Sequence, residues 1–148
     1  MYLERLQELS VYYWLDDLFT GTGVDVVDSW HDGDLVLPRI AVVGENIGSS
    51  LHELGGAERY NRIWSIEIYA STKQQRDEIG YRIFGQLRED GHIEVFDYDE
   101  GFPPTVSPSS LGYMDVLKHQ YLPRNFDSEL QNLLDWRATV AIHSRYIV

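Results

Sequence analysis

The stretch "RIWSIEIYASTKQQRDEIGYRIFGQLREDGHIEVFDY", residues 62–98, changes its hydrophobic period twice. In residues 62–70 the pattern alternates: Trp64, Ile66, Ile68 and Ala70 share one face, and Ile63, Ser65, Glu67 and Tyr69 the other. A period of two is a half-buried strand. Ser71 or Thr72, with Gln74 or Gln75 three positions on, then has the form of a capping box. Ile79, Ile83 and Leu87 follow at steps of four, widened by Phe84. Lys73, Arg76, Asp77, Arg82, Arg88 and Glu89 are expected on the wet side of that helix. Gly91 suits a helix C-cap, and "HIEVFDY" alternates again. The spacing therefore predicts strand–helix–strand, a βαβ unit whose crossover is right-handed if its strands are parallel. The second face of such a sheet would carry Ile63, Tyr69, Phe96 and Tyr98 with Glu67 and Glu94, which suits a subunit contact as well as water.

The flanks complete an α+β domain. "YLERLQELSVYYWLDDLF", 2–19, reads as a helix with Leu3, Leu6, Tyr13 and Trp14 on one stripe, broadened by Leu9 and Leu18. Its "YYW" aromatics are expected in the core. "TGTG", 20–23, stops it, and "VDVVDSW" follows as a short strand. "HDGD", 31–34, is a turn. Pro38 interrupts "LVLPRIAVVG", so that strand begins after it or lies at a sheet edge. Residues 44–61 hold four glycines without a sustained period and read as a projecting loop or hairpin that docks onto something. "DYDEGFPPTVSPSS", 97–110, reads as extended and mobile. "LGYMDVLKHQY" is a strand, and "NFDSELQNLLDW" one or two helical turns capped by Asp127 or Ser128. "WRATVAIHSRYIV" is a closing strand with Ala138, Val140 and Ile142 on one face. The expected fold is one domain, 1–148, with a mixed, mainly antiparallel sheet of four to six strands and helices at about 2–19 and 72–90 on one face.

Composition narrows the function classes. There is no cysteine, which excludes disulfides and thiolate metal sites. Neither a signal peptide nor an apolar run of ~18 residues is visible, so synthesis in a cytosol and no membrane partner are expected. The net charge is −12, and residues 1–34 and 93–101 together contribute −11 of it. A surface of this kind repels phosphate backbones.

Three motifs could carry chemistry. "DSWHDGD", 28–34, gathers Asp28, His31, Asp32 and Asp34, oxygen and imidazole donors for a divalent ion, but Asp and Gly are also ordinary turn residues and the EF-hand spacing is absent. "HELGG", 52–56, is half of a zinc-hydrolase signature with Gly56 where the second histidine belongs. "GTG", 21–23, follows a helix and is not a phosphate cradle. His92, His119 and His143 lie on separate elements. The expectation is a non-enzyme with no cofactor and no metal; the alternative is a small metal-dependent hydrolase built on Asp28–Asp34.

In the order of its elements the chain resembles the tail terminator (tail-completion or neck) proteins of long-tailed bacteriophages. The resemblance spans the whole chain. A short N-terminal helix precedes "LPRIAVVG", the glycine-rich "ELGG", then "WSIEIYASTKQQRDEIGYRIFGQL" with its Gln-Arg-Asp cluster, "IEVFDY", and a closing "WRATVAIHS". It implies a structural virion protein, present in the host cytoplasm during assembly. Such a protein forms a ring, typically a hexamer, on the head-proximal end of the tail tube. There it ends tube polymerisation and meets the head-closure protein, while DNA passes through without specific binding. Another head–tail connector component is the neighbouring alternative. The family has no catalytic residues to carry over. Leu51, His52, Glu53, Leu54, Arg59 and Tyr60 in the docking segment, and Arg62, Arg76, Arg82 and Arg137 in the charge-balanced segments 62–92 and 102–148, are the candidate interface residues. If the surplus acids are evenly exposed on a rim or channel wall, added salt should strengthen such a ring.

Overall fold

The computed structural model describes residues 2–27, 37–51, 58–98, 101–124 and 136–147, with 44–51 and 58–60 described by backbone alone. The fold is α+β. Its elements are α1 (Leu3–Leu18), β1 (Asp25–Val27), β2 (Arg39–Leu51), β3 (Glu58–Ala70), α2 (Lys73–Asp90), β4 (His92–Phe96), β5 (Ser110–Arg124) and β6 (Trp136–Ile147). Six strands form one sheet in the order β1-β2-β3-β6-β5-β4. β1 and β2 are parallel and every other pair is antiparallel.

Alternation in β3 and β6 builds the core. Trp64, Ile66, Ile68 and Ala70 are fully buried, as are Ala138, Val140 and Ile142, which face them across the β3–β6 pair. The buried stripe of α2, Ile79, Ile83 and Leu87, belongs to the same apolar cluster, and so do Leu6, Leu9, Val11 and Leu15 of α1. Each such side chain contributes about 1.5–3 kcal/mol of transfer free energy. Trp64 keeps its indole satisfied inside the core: Nε1 donates to Ser144 Oγ (3.1 Å), which donates to the Arg62 carbonyl (3.0 Å).

Helix α2 starts as its sequence predicts. Thr72 Oγ1 accepts from the Gln75 amide (3.1 Å), and Gln75 Oε1 accepts in return from the Ser71 amide (2.9 Å). It ends at Gly91, whose φ of 72° is a left-handed cap. The two strands it joins are not neighbours, however: β6 and β5 lie between β3 and β4. Three successive antiparallel pairings make β4 run opposite to β3, so the parallel crossover does not arise.

Several sequence expectations are corrected. Of the loop and the hairpin expected at 44–61, the structure shows the hairpin: β2 continues to Leu51 and pairs antiparallel with β3, which begins at Glu58. The glycine at 44 marks a bulge, a register shift between Gly44 and Asn46, and the ladder continues beyond it. The "YYW" aromatics are not the core of α1. Tyr13 is 39% exposed and Tyr12 and Trp14 are half-buried, while Val11 and Leu15 are fully buried. Tyr98 is not on the second face of the sheet. Strand β4 ends at Phe96, alternation stops there, and Tyr98 turns inward at 1% exposure. It packs edge-on against Phe102 (5.1 Å), which also meets Tyr12 (5.3 Å), so these rings anchor the segment after β4 on α1. Burial, and then the neighbouring Tyr13, push the Tyr98 phenol up to about 12. The expected helical turns of 125–136 lie outside the described residues apart from Trp136, which opens β6.

Helix α2 sits so close to β5 that a Cβ at Gly80 would lie 2.2 Å from the Tyr121 ring, whereas one at Gly85 would meet nothing within 4 Å. Gly80→Ala should destabilise the protein by about 1–3 kcal/mol through overpacking. Gly85→Ala should stabilise it by up to about 1 kcal/mol. Urea denaturation of the two variants checks both signs.

Candidate interaction surface

Two of the four arginines expected at a subunit contact are interior. Arg62 is 4% exposed. Its Nη1 donates to the Glu4 carbonyl (2.7 Å) and Gln7 Oε1 (3.1 Å), and its Nη2 pairs with Glu8 (2.8 Å). The guanidinium lies over the Trp64 ring at 4.1 Å. Burial lowers its affinity for a proton, and the Glu8 and Glu4 carboxylates oppose that. Arg62 thus joins α1 to β3 within one chain. The signal was in the sequence: Arg62 has the parity of Trp64, Ile66 and Ile68, so the alternation itself puts it on the inner face.

Arg76 was expected in water and is 1% exposed. It lies three residues before Ile79 and seven before Ile83, on the buried stripe of the helix. Its Nε donates to Asp77 (3.1 Å), its Nη1 to the Arg124 carbonyl (3.0 Å), and its guanidinium sits 5.2 Å from the Trp136 ring. Tyr121 closes the group with a 2.6 Å hydrogen bond to Asp77. Burial alone would raise the Asp77 carboxyl, but the hydrogen bonds from Tyr121 and Arg76 outweigh it and hold the group below the ordinary carboxylate value. Burial and the Asp77 contact push the Tyr121 phenol up.

Arg82 and Arg137 remain available. Arg82 is exposed, with its guanidinium 5.4 Å from the Phe19 ring. Arg137 is half-buried and lies 5.1 Å from the Tyr69 ring on the outer face of the sheet. Leu51, Arg59 and Tyr60 are brought together by the β2–β3 hairpin, in the rungs Leu51↔Glu58, Ser50↔Arg59 and Ser49↔Tyr60. His52, Glu53 and Leu54, the "HELGG" motif, and Asp28, His31, Asp32 and Asp34 lie outside the described residues.

Outer-face geometry adds residues that the sequence reading did not connect. Asp25, Arg39, Tyr69, Arg137 and Arg124 form one rung across five strands, each the Cα partner of the next. Arg39 is paired with Asp25 at 2.9 Å. Arg124 and Arg137 stand directly opposite one another, like charges with no carboxylate partner among the described residues. Only cross-strand register could reveal this row, because its members are spread from 25 to 137.

Between α1 and β4 lies a cleft of about 330 Å³ lined by Ser10, Tyr13, Trp14, Asp17, Asp90, His92, Glu94 and Phe96. It holds three carboxylates and three aromatic rings, a lining suited to a cationic side chain. The histidines stay apart: His92 meets the Tyr113 ring (4.9 Å) and His119 the Phe84 ring (4.4 Å). No helix among the described residues is long and apolar enough to cross a membrane. No group of three or more metal-binding side chains occurs among them. No family model and no curated protein matches this sequence.

Arg62→Ala should cost about 2–4 kcal/mol, because it strips Glu4, Gln7 and Glu8 of α1 of their donor and leaves a cavity beside Trp64. Arg82→Ala should stay within about 1 kcal/mol of the parent. Denaturant midpoints separate the two. The depressed Asp77 carboxyl adds stability that is present above the unfolded value of about 3.9 and is lost as pH falls through the lower folded value. Asp77→Asn should flatten that acid limb in a pH series of thermal midpoints.

Proposed function

We propose that this chain is a tail terminator of a long-tailed bacteriophage, a ring-forming structural protein that caps the tail tube and joins it to the head. The observation that supports this reading best is the shape of the β2–β3 hairpin on a helix-backed sheet. β1 pairs with β2 only through Ala41, so β2 from Gly44 onward has one strand neighbour among the described residues. The last rungs, Ser50↔Arg59 and Leu51↔Glu58, run past the β3–β6 pairing, which ends at Tyr60↔Tyr146. An edge without a second strand among the described residues, and a ladder that outruns the β3–β6 pairing on a two-layer body, suit a subunit that reaches a neighbour or a tube. In this reading Leu51, Arg59 and Tyr60 act at the tip, and Arg82 and Arg137 serve the subunit contact. Arg62 and Arg76 hold the subunit's own fold.

Electron microscopy of tail tubes assembled with this protein is the test. The expected result is a ring at one tube end and a fixed tube length. A variant with residues 49–60 replaced by a tight turn should leave the fold intact and lose the cap. Tubes that elongate unchanged, with the protein absent from their ends, would overturn the proposal. Binding to the head connector in place of the tube would assign the protein to head closure.

A further inference from the structure

We infer that two copies of this chain associate head to tail, the Arg124–Arg137 face of one seated on the acidic aromatic cleft of the next. The inference rests on the ring reading for its biological setting, but its physical basis is separate. Arg124 and Arg137 are register partners on the outer face of β5–β6, and Lys118 lies on the same face opposite His143. Arg124 and Lys118 are exposed. The other charges of this face are already engaged or opposed: Arg39 pairs with Asp25, Arg145 stands opposite Asp115, and Glu67 accepts from Thr139 (2.8 Å). Among the described residues of this face, what remains is an excess of positive charge, in a chain of net −12. Two guanidinium groups in direct opposition repel each other, and an incoming carboxylate relieves that repulsion.

The complementary surface lies on the helix side of the molecule, at the β4 edge. Asp17, Asp90 and Glu94 line the cleft with Tyr13, Trp14 and Phe96, and an adjoining groove adds Leu18, Gln86 and Arg82. Asp90 already accepts from Gln86 (2.9 Å), while Asp17 has no cationic partner among the described residues. Arg82 is the nearby cation on these elements, and it forms no ion pair with these acids among the described residues. A guanidinium entering here would meet carboxylates and ring faces together.

One subunit cannot satisfy itself in this way. His92 of β4 pairs with Asp115, and Arg124 lies nine residues farther along β5. That separation is about 30 Å of extended chain. The two surfaces also differ, so their contact is heterologous and extends from copy to copy, closing into a ring if the rotation allows. Charge segregation of this kind reverses the salt dependence expected from net charge alone. Exposed pairs are screened over ~8 Å at physiological ionic strength, so added salt should weaken this association.

The test uses two charge-reversed forms of the full chain, Arg124→Glu/Arg137→Glu and Asp17→Lys/Asp90→Lys, with folding checked by circular dichroism. If the first fails to fold because Arg137 is half-buried, Lys118→Glu/Arg124→Glu changes only exposed side chains and replaces it. In sedimentation at low ionic strength the parent should self-associate, and each variant alone should do so ~10-fold or more weakly. An equimolar mixture should regain association, since the intact face of one variant fits the intact cleft of the other and the two reversed surfaces also carry opposite charges. A monomeric parent, variants that associate like the parent, or a mixture that stays monomeric would each overturn the inference. Closed rings formed equally by parent and variants would refute this contact and leave the terminator reading standing. Open chains built through this contact, with no affinity for tail tubes, would do the reverse.

Discussion

Strand β3 is hydrogen-bonded along both edges, to β2 and to β6, and so has only its two side-chain faces to spend on the rest of the molecule. Its inner face carries Arg62, Trp64, Ile66, Ile68 and Ala70, all buried, and both helices are held against it. The apolar members drive packing through the area they remove from water. Arg62 supplies what apolar contact cannot, a directional connection to the carbonyl of Glu4 and the side chains of Gln7 and Glu8. Non-directional burial leaves a helix free to slide or rotate on a sheet, and a buried guanidinium with three acceptors on one helical turn does not.

The same logic applies at the far end of the sheet. Arg76, Asp77 and Tyr121 form a satisfied polar group between α2 and β5, and the guanidinium also reaches the Arg124 carbonyl. Arg62 and Arg76 therefore both sit where a helix must be registered on a strand. This explains why two arginines that look like interface residues in a list of cations are unavailable to a neighbour. Fully buried charge is tolerated only when paired, and the partners are here within the chain.

Three carboxylates line the α1–β4 cleft, and Arg124 and Arg137, which have no carboxylate partner among the described residues, stand on the opposite face of the sheet. A uniform −12 would make association between copies unfavourable, whereas a bipolar distribution makes one relative orientation favourable and penalises the others. In the proposed head-to-tail contact, that distribution would set the direction of assembly. The β2–β3 hairpin, whose β2 edge beyond Gly44 has no second strand among the described residues, would supply reach in a second direction.

The sequence by itself determined the elements whose periodicity matches their burial. The inner faces of β3 and β6, the stripe of α2, its Thr72 and Gly91 caps and the start of β2 after Pro38 follow from local pattern, because alternation, helical spacing and capping are properties of neighbouring residues. Parity even contained the burial of Arg62, though residue type pointed to water. Pairing between distant segments lay beyond local pattern. That β6 and β5 separate β3 from β4, that a glycine-rich stretch continues as a ladder, and that Tyr98 turns inward beyond β4 against Phe102 all depend on contacts between distant segments. The candidate interaction surface depends on tertiary structure most of all. Asp25, Arg39, Tyr69, Arg137 and Arg124 become a row only when five strands align, and Asp17, Asp90 and Glu94 become a cleft only when α1 packs beside β4, because side chains distant in sequence acquire a common electrostatic environment through cross-strand register and helix docking alone.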